Sequence, residues 1–277
     1  MHRKPTTVLK LKSTIELKRI IVTGATGAIG SEICRQLACK GYGVVLACRN
    51  KQKGEEVAAS MPSASAPLVL TLDLSSESAA RGAVKPLADM LPAGDIVVGV
   101  VNNAGTMARS FSLTTDGHEM DMAVNCLNTM AWTDELLRSG LLSRGAAIVF
   151  TTSITRKMGK GGEMPAEPTA SDFSQLGSYA RSKRALTIRA AELCRKLLTE
   201  GIAVNCADPG VVDSGMITMH RWFDPLSNIF FRPFIRKPSK GAVPAIRALE
   251  AGLGGSSGDI YCLRSRHKFS GIITENK

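Results

Sequence analysis

The chain has 277 residues, 44% hydrophobic and only 5% aromatic, a composition that fits a soluble globular protein with an aliphatic core. No apolar run approaches the roughly 18 residues that span a bilayer, and the basic stretch Met1 to Lys18 lacks the apolar centre of a secretory signal. Lys and Arg outnumber the acids 35 to 24, a formal charge of +11, but no helix-turn-helix, zinc finger or aromatic strand-binding platform accompanies it, so no nucleic-acid partner is expected.

The charge gathers at the ends, in Arg3, Lys4, Lys10, Lys12, Lys18 and Arg19 and again from Arg232 to Lys268, and reads as solvated surface and tails. Residues 1–16 read as a basic extension ahead of one domain over 17–277. The seven cysteines are scattered, odd in number and without a C-x-x-C pair, which points to free thiols in a reducing, cytoplasmic setting and to no metal site.

The first element is the apolar strand Ile20-Ile21-Val22, followed by Thr23-Gly24-Ala25-Thr26-Gly27-Ala28-Ile29-Gly30 and a helix over Ser31 to Lys40. Strand, glycine turn and helix form the setting in which a pyrophosphate can approach the backbone and meet the free N–H groups of a helix start. Gly24, Ala25, Thr26, Gly27 and Ile29 are the candidate contacts in that turn. A second strand spans Tyr42 to Cys48, a helix Lys51 to Ser60, and a third strand Leu68 to Leu72, ending at Asp73 and Leu74. Ser75, Ser76 and Ser78 offer hydroxyl caps for the next helix.

A fourth strand, Ile96 to Val101, leads into Asn102-Asn103-Ala104-Gly105; a long helix is expected over His118 to Ser139, and a fifth strand over Ala146 to Phe150. The polar, Gly- and Pro-containing stretch 153–178 reads as a functional loop. A helix over Gln175 to Glu200 and a sixth strand, Ile202 to Cys206, follow. Strands apolar on both faces, alternating with helices, predict an α/β fold: three layers, a doubly wound parallel sheet of about seven strands (Rossmann fold), in a single domain.

Tyr179 and Lys183 lie four residues apart on a predicted helix and so share a face. A phenol titrates near ~10, and a neighbouring ammonium favours the phenolate, so the pair suits general acid/base work on a carbonyl/alcohol couple. Gly24, Arg49, Asp73, Asn103, Ser153 and Pro209-Gly210 each follow a predicted strand, at the sheet edge where ligands bind in open parallel sheets.

Five motifs in order, T-G-x-x-G-x-x-G at 23–30, L-D-L at 72–74, N-N-A-G at 102–105, Y-A-R-S-K at 179–183 and D-P-G-V-V at 208–212, resemble the short-chain dehydrogenase/reductase family over about residues 17 to 250. The Ser153-to-Tyr179 gap of 26 residues and the run Ala47-Cys48-Arg49-Asn50 are similar to its retinol dehydrogenase-like subgroup. The glycine spacing is that of the family's longer, epimerase-like branch, and Thr151-Thr152 stands where a small residue and a serine are common.

The resemblance implies an oxidoreductase with Tyr179 as proton donor or acceptor and Lys183 lowering the Tyr179 pKa and holding the nicotinamide ribose. It implies Ser153 orienting the substrate oxygen and Asn125 binding, through its backbone, a water that links Lys183 to solvent. Asp73 and Leu74 would border the adenine, Asn103, Ala104 and Gly105 the ribose path, and Pro209, Gly210 and Val212 the carboxamide.

Cys48 stands where an acid would bind a ribose 2′-hydroxyl, and Arg49 with Asn50 follows; a guanidinium there suits a 2′-phosphate, so NADP(H) is expected ahead of NAD. The alternative for Arg49 is stacking on the adenine or pointing to solvent. The segment 214–240, rich in Met, Phe and Ile and flanked by basic residues, reads as a lid over a pocket for a small or lipophilic carbonyl or alcohol, with peripheral membrane contact as a further reading. The sequence leaves a homo-oligomer open. The competing functional class is a silent NADP-binding regulatory or scaffold protein.

Overall fold

The computed structural model describes residues 16–158, 166–212 and 236–269. Residues 1–15 of the expected extension and 214–235 of the expected lid lie outside the described residues. Of the remainder of that segment, Arg236 bridges to Val212, and Pro238 to Lys240 form the first turn of a helix.

One sheet of eight strands has the order β3-β2-β1-β4-β5-β6-β7-β8. Its strands are β1 (Lys18–Thr23), β2 (Gly43–Cys48), β3 (Leu68–Thr71), β4 (Ile96–Asn102), β5 (Leu142–Thr151), β6 (Ala203–Ala207), β7 (Asp259–Tyr261) and β8 (Arg266–Lys268). The first seven run parallel and β8 pairs antiparallel with β7. The eighth strand exceeds the expected seven; its three residues are exposed and basic, so it carries none of the apolar signal by which a strand is read.

The helices are α1 (Ala28–Cys39), α2 (Lys51–Ala59), α3 (Glu77–Gly82), α4 (Val84–Met90), α5 (Met120–Met122), α6 (Asn128–Ser139), α7 (Gln175–Leu197) and α8 (Pro238–Leu253). Side chains alternate along each strand. Ile20 and Val22 of β1 meet Ile33 and Leu37 of α1 and Ala245 and Leu249 of α8 on one face. Ile21 turns the other way, into a cluster with Trp132 and Leu136 of α6 and Leu186 and Ala190 of α7. Both faces of the sheet are covered, which is why its strands are apolar throughout.

Two local readings are corrected. The expected helix over 118–139 is broken by a π-helical turn at Ala123–Leu127 between α5 and α6. Arg19 is not solvated surface. It is 1% exposed, its Nε donates to Asp95 Oδ2 at 2.5 Å and its Nη1 to the Ala66 carbonyl at 2.6 Å. The pair closes the amino end of the sheet, opposite the end where the strand order reverses between β1 and β4.

Candidate active site

The turn after β1 is fixed by close approach. Gly24 has φ +64°, the left-handed region that glycine enters freely, and a Cβ there would stand 2.7 Å from Ala104 Cα. A Cβ on Gly30 would run into the Gly24 carbonyl oxygen, so α1 sits directly on the turn. The end of β4 braces it further: the Ala104 N–H donates to Thr23 Oγ1 at 2.9 Å and Asn103 Nδ2 to the Thr23 carbonyl at 3.1 Å. The first turn of α1 has no side-chain cap, and Ala28, Ile29 and Gly30 border a cleft of about 930 Å³.

That cleft runs along the carboxyl ends of the strands. It is lined by Gly24, Thr26, Gly27, Ile29, Arg49, Asp73, Leu74, Asn103, Ala104, Gly105, Ser153, Tyr179, Lys183, Pro209, Gly210 and Val212, all named from the sequence. Three other named residues do not line it. Ala25 is fully buried, with its N–H on the Ala47 carbonyl at 3.3 Å. Asn50 caps α2, its Oδ1 accepting from the Lys53 N–H at 3.0 Å. Asn125 is fully buried on the π-helical turn. There its Oδ1 accepts from the Thr106 N–H at 2.7 Å, and its Nδ2 donates to the Thr106 carbonyl at 2.8 Å and to Ser182 Oγ at 2.9 Å. Asn125 thus ties the loop after β4 to α7 from behind the cleft wall.

Lys183 donates from Nζ to the Thr151 carbonyl at 2.9 Å, and its Nζ stands 5.8 Å from the centre of the Tyr179 ring. Ser153 Oγ accepts from the Thr155 N–H at 3.3 Å and from Thr155 Oγ1 at 3.0 Å, and the Ser153 side chain hydrogen-bonds Tyr179. Burial pushes the Tyr179 phenol up to about 12, offset in part by the Ser153 bond. Burial pulls Lys183 down to about 8. For Tyr179 the direction is opposite to the lowering expected from the lysine neighbour, because desolvation of the buried phenol is the largest influence on it.

Three charged residues at this site were not singled out from the sequence. Asp121, one turn before Asn125, is fully buried; its Oδ1 accepts from the Ala108 N–H at 2.7 Å, and burial pushes its carboxyl up to about 7. Arg156 and Asp208 form a buried pair at 2.7 Å between the loops after β5 and β6. Asp208 opens the D-P-G-V-V motif, and that position was the available signal for it; Arg156 and Asp121 carry none beyond proximity in sequence to Ser153 and Asn125.

The family model for short chain dehydrogenases matches residues 18–222. The chain belongs to that family. Human retinol dehydrogenase 12 is 32% identical over 250 residues, which cover 88% of this chain and 77% of the relative. Mouse polyprenol dehydrogenase is 34% identical over 249 residues, covering 85% and 73%. Such relatives place this short-chain dehydrogenase in the retinol dehydrogenase-like subgroup. A short-chain dehydrogenase from Burkholderia cenocepacia J2315, solved in complex with NADP, shares the fold with a TM-score of 0.69 at 24% identity, covering 89% of this chain and 96% of that one.

Membership makes the protein an oxidoreductase of alcohol or carbonyl groups that uses a nicotinamide dinucleotide. The site fits that cofactor: its turn admits no Cβ at Gly24 or Gly30, and an uncapped helix start opens on the cleft to receive phosphate. Among the described residues no helix is long and apolar enough to cross a membrane.

Proposed function

We propose that this short-chain dehydrogenase interconverts an aldehyde or ketone and its alcohol, with NADP(H) preferred and Tyr179 as the general acid/base. The observation that carries the reading is the convergence of Tyr179, Ser153 and Lys183 at one wall of the cleft. The bound dinucleotide supplies or accepts the hydride. Tyr179 gives its proton to the carbonyl oxygen, and Ser153 Oγ holds that oxygen in line. Burial keeps the phenol protonated, the form that reduction needs. Lys183 carries positive charge beside the phenol and orients the ribose hydroxyls. Asn125 is a positioning residue, keeping the Thr106 loop against α7 and carrying the expected backbone contact to a relay water.

Gly24, Gly27 and the first turn of α1 would hold the pyrophosphate, Asp73 and Leu74 the adenine, and Pro209 to Val212 the carboxamide. Arg49 is exposed at the end of β2 and borders the cleft, which supports recognition of a 2′-phosphate. Met107, Met120, Val124, Ile154 and Leu176 also line the cleft, and that apolar wall supports a lipophilic substrate. The names of the relatives, retinol and polyprenol dehydrogenase, point the same way. All seven cysteines are free, which supports a reducing, cytoplasmic setting.

The test is a panel of aldehydes and ketones, retinaldehyde included, with NADPH and NADH, followed at the nicotinamide absorbance. Turnover is expected with NADPH, and Tyr179→Phe is expected to lower it by about 10² to 10⁴ while leaving NADPH binding intact. Undiminished turnover in Tyr179→Phe overturns the assignment of the acid; tight NADPH binding with no turnover across the panel favours the silent scaffold.

A further inference from the structure

The loop after β5 carries Ser153 and the loop after β6 carries Pro209 to Val212, and at their base the Thr152 N–H donates to the Ala207 carbonyl at 2.8 Å. The Arg156 side chain spans them. Arg156 is 6% exposed, and its Nη1 donates both to the Ser153 carbonyl at 2.8 Å and to Asp208 Oδ2 at 2.7 Å. The other carboxylate oxygen, Asp208 Oδ1, accepts from the Gly210 N–H at 3.0 Å. Asp208 is itself fixed from below, its N–H donating to the Tyr261 carbonyl at 2.8 Å. A continuous chain of hydrogen bonds therefore runs from the backbone of Ser153 through a guanidinium and a carboxylate to the backbone of Gly210.

A buried ion pair adds little net stability, because desolvation of the two charges offsets their attraction. A pair kept in so costly a place is explained by what it positions. Gly210 has φ +72°, a conformation that the Asp208 acceptor pins, and Ser153 must present its hydroxyl at hydrogen-bonding distance from one substrate atom.

We propose that Arg156 is a positioning residue for the reaction: through the Ser153 carbonyl and Asp208 it sets the spacing between the serine that orients the substrate oxygen and the loop that holds the nicotinamide end of the cofactor. The proposal rests on the function given above for Ser153 and for the 208–212 loop. Arg156 is buried and is not among the residues that line the cleft. Its effect passes through two backbone segments that must move together.

The experiment compares the full chain with Arg156→Met, Arg156→Lys, Asp208→Asn and the double variant Arg156→Met/Asp208→Asn. The double variant removes both charges, so it answers for the case in which Arg156→Met fails to fold with an unpaired carboxylate in its interior. Three quantities are read: melting temperature, amide hydrogen exchange of segments 152–158 and 207–212 without cofactor, and steady-state kinetics with NADPH and whichever panel aldehyde the wild type reduces.

Melting of the double variant is expected to return to near the wild-type value while exchange stays faster in both segments together. Its kcat is expected to stay about 10- to 100-fold low, the loss that a displacement of about an ångström produces, with the KM for the aldehyde changed far less. Arg156→Lys, which reaches one acceptor at a time, is expected to fall between wild type and Arg156→Met. Wild-type exchange in either segment of the double variant, or full recovery of kcat alongside melting, overturns the proposal and leaves the pair a matter of folding. A wild type that binds NADPH but reduces nothing defeats the functional reading instead, and the exchange data still decide whether the clamp exists.

Discussion

Lys183 is the residue whose removal tests the electrostatics of the site most directly, because the outcome runs against intuition. Its ammonium is fully desolvated and its pKa falls from 10.5 to about 8. In the unfolded chain the same group keeps its ordinary value, so below pH 8 folding forces a proton into a place that disfavours it. At about 1.4 kcal/mol per pKa unit the penalty near pH 7 is about 3 kcal/mol.

The sign follows from proton counts. Between pH 8 and 10.5 the unfolded chain binds more protons at this position than the folded one, so wild-type stability rises with pH across that window. Replacement by methionine removes the penalty, keeps most of the volume and loses the bond to the Thr151 carbonyl. Lys183→Met is therefore expected to be inactive yet more stable, by about 1 kcal/mol at pH 7 once a lost charged hydrogen bond is set against the gain. For a chain of this size that is a rise of a few degrees in Tm. The advantage shrinks as the pH rises, with the penalty down to about 1 kcal/mol at pH 9.5. Thermal melts of both proteins at pH 7 and pH 9.5 decide it: a variant that melts at or below wild type at pH 7, or an advantage that does not shrink with pH, refutes the reasoning.

Two further outcomes follow from the cofactor cleft. Arg49→Ala is expected to weaken NADPH binding by about 10- to 100-fold, the size of a lost charge-assisted pair of hydrogen bonds, and to leave NADH almost unchanged; equal losses for the two, measured by nicotinamide fluorescence, would mean that Arg49 does not meet the 2′-phosphate. Gly30→Ala is expected to destabilise by about 1 to 3 kcal/mol through overpacking against the Gly24 carbonyl and to weaken both cofactors alike. Unchanged melting and binding in that variant would show that the turn can open without consequence.

The glycine turn and the Tyr179–Lys183 pair were legible in the sequence because both are local: a strand, a turn and a helix start within a dozen residues, and two side chains one helical turn apart. The parallel sheet was legible for a related reason, since strands covered on both faces write continuous apolar runs. What escaped was set by partners distant in sequence. Arg19 reads as a surface charge until Asp95, 76 positions on, meets it inside the molecule. Arg156 and Asp208 are 52 positions apart and acquire their pairing only when β5 and β6 lie side by side. The Tyr179 pKa depends on how completely the cleft wall excludes water, and spacing along a helix does not carry that information. The break at Ala123–Leu127 is set by the partners that hold its two flanks, Glu167 on one side and Leu74 on the other, both distant in sequence.

That break also constrains the length of the chain around it. A helix that accommodates one surplus residue in a wide turn stays in phase on both sides only while the surplus is kept. Removing a residue there would let the segment relax into regular turns, yet it would swing whatever precedes it by about 100° against whatever follows. On one side Glu119 is anchored to Glu167; on the other Asn128 is anchored to the Leu74 carbonyl at the cleft and Trp132 to the core. Both anchorages survive together at one length alone, so the wide turn works as a spacer, and single-residue deletions between 120 and 127 should be tolerated far less well than substitutions at the same positions.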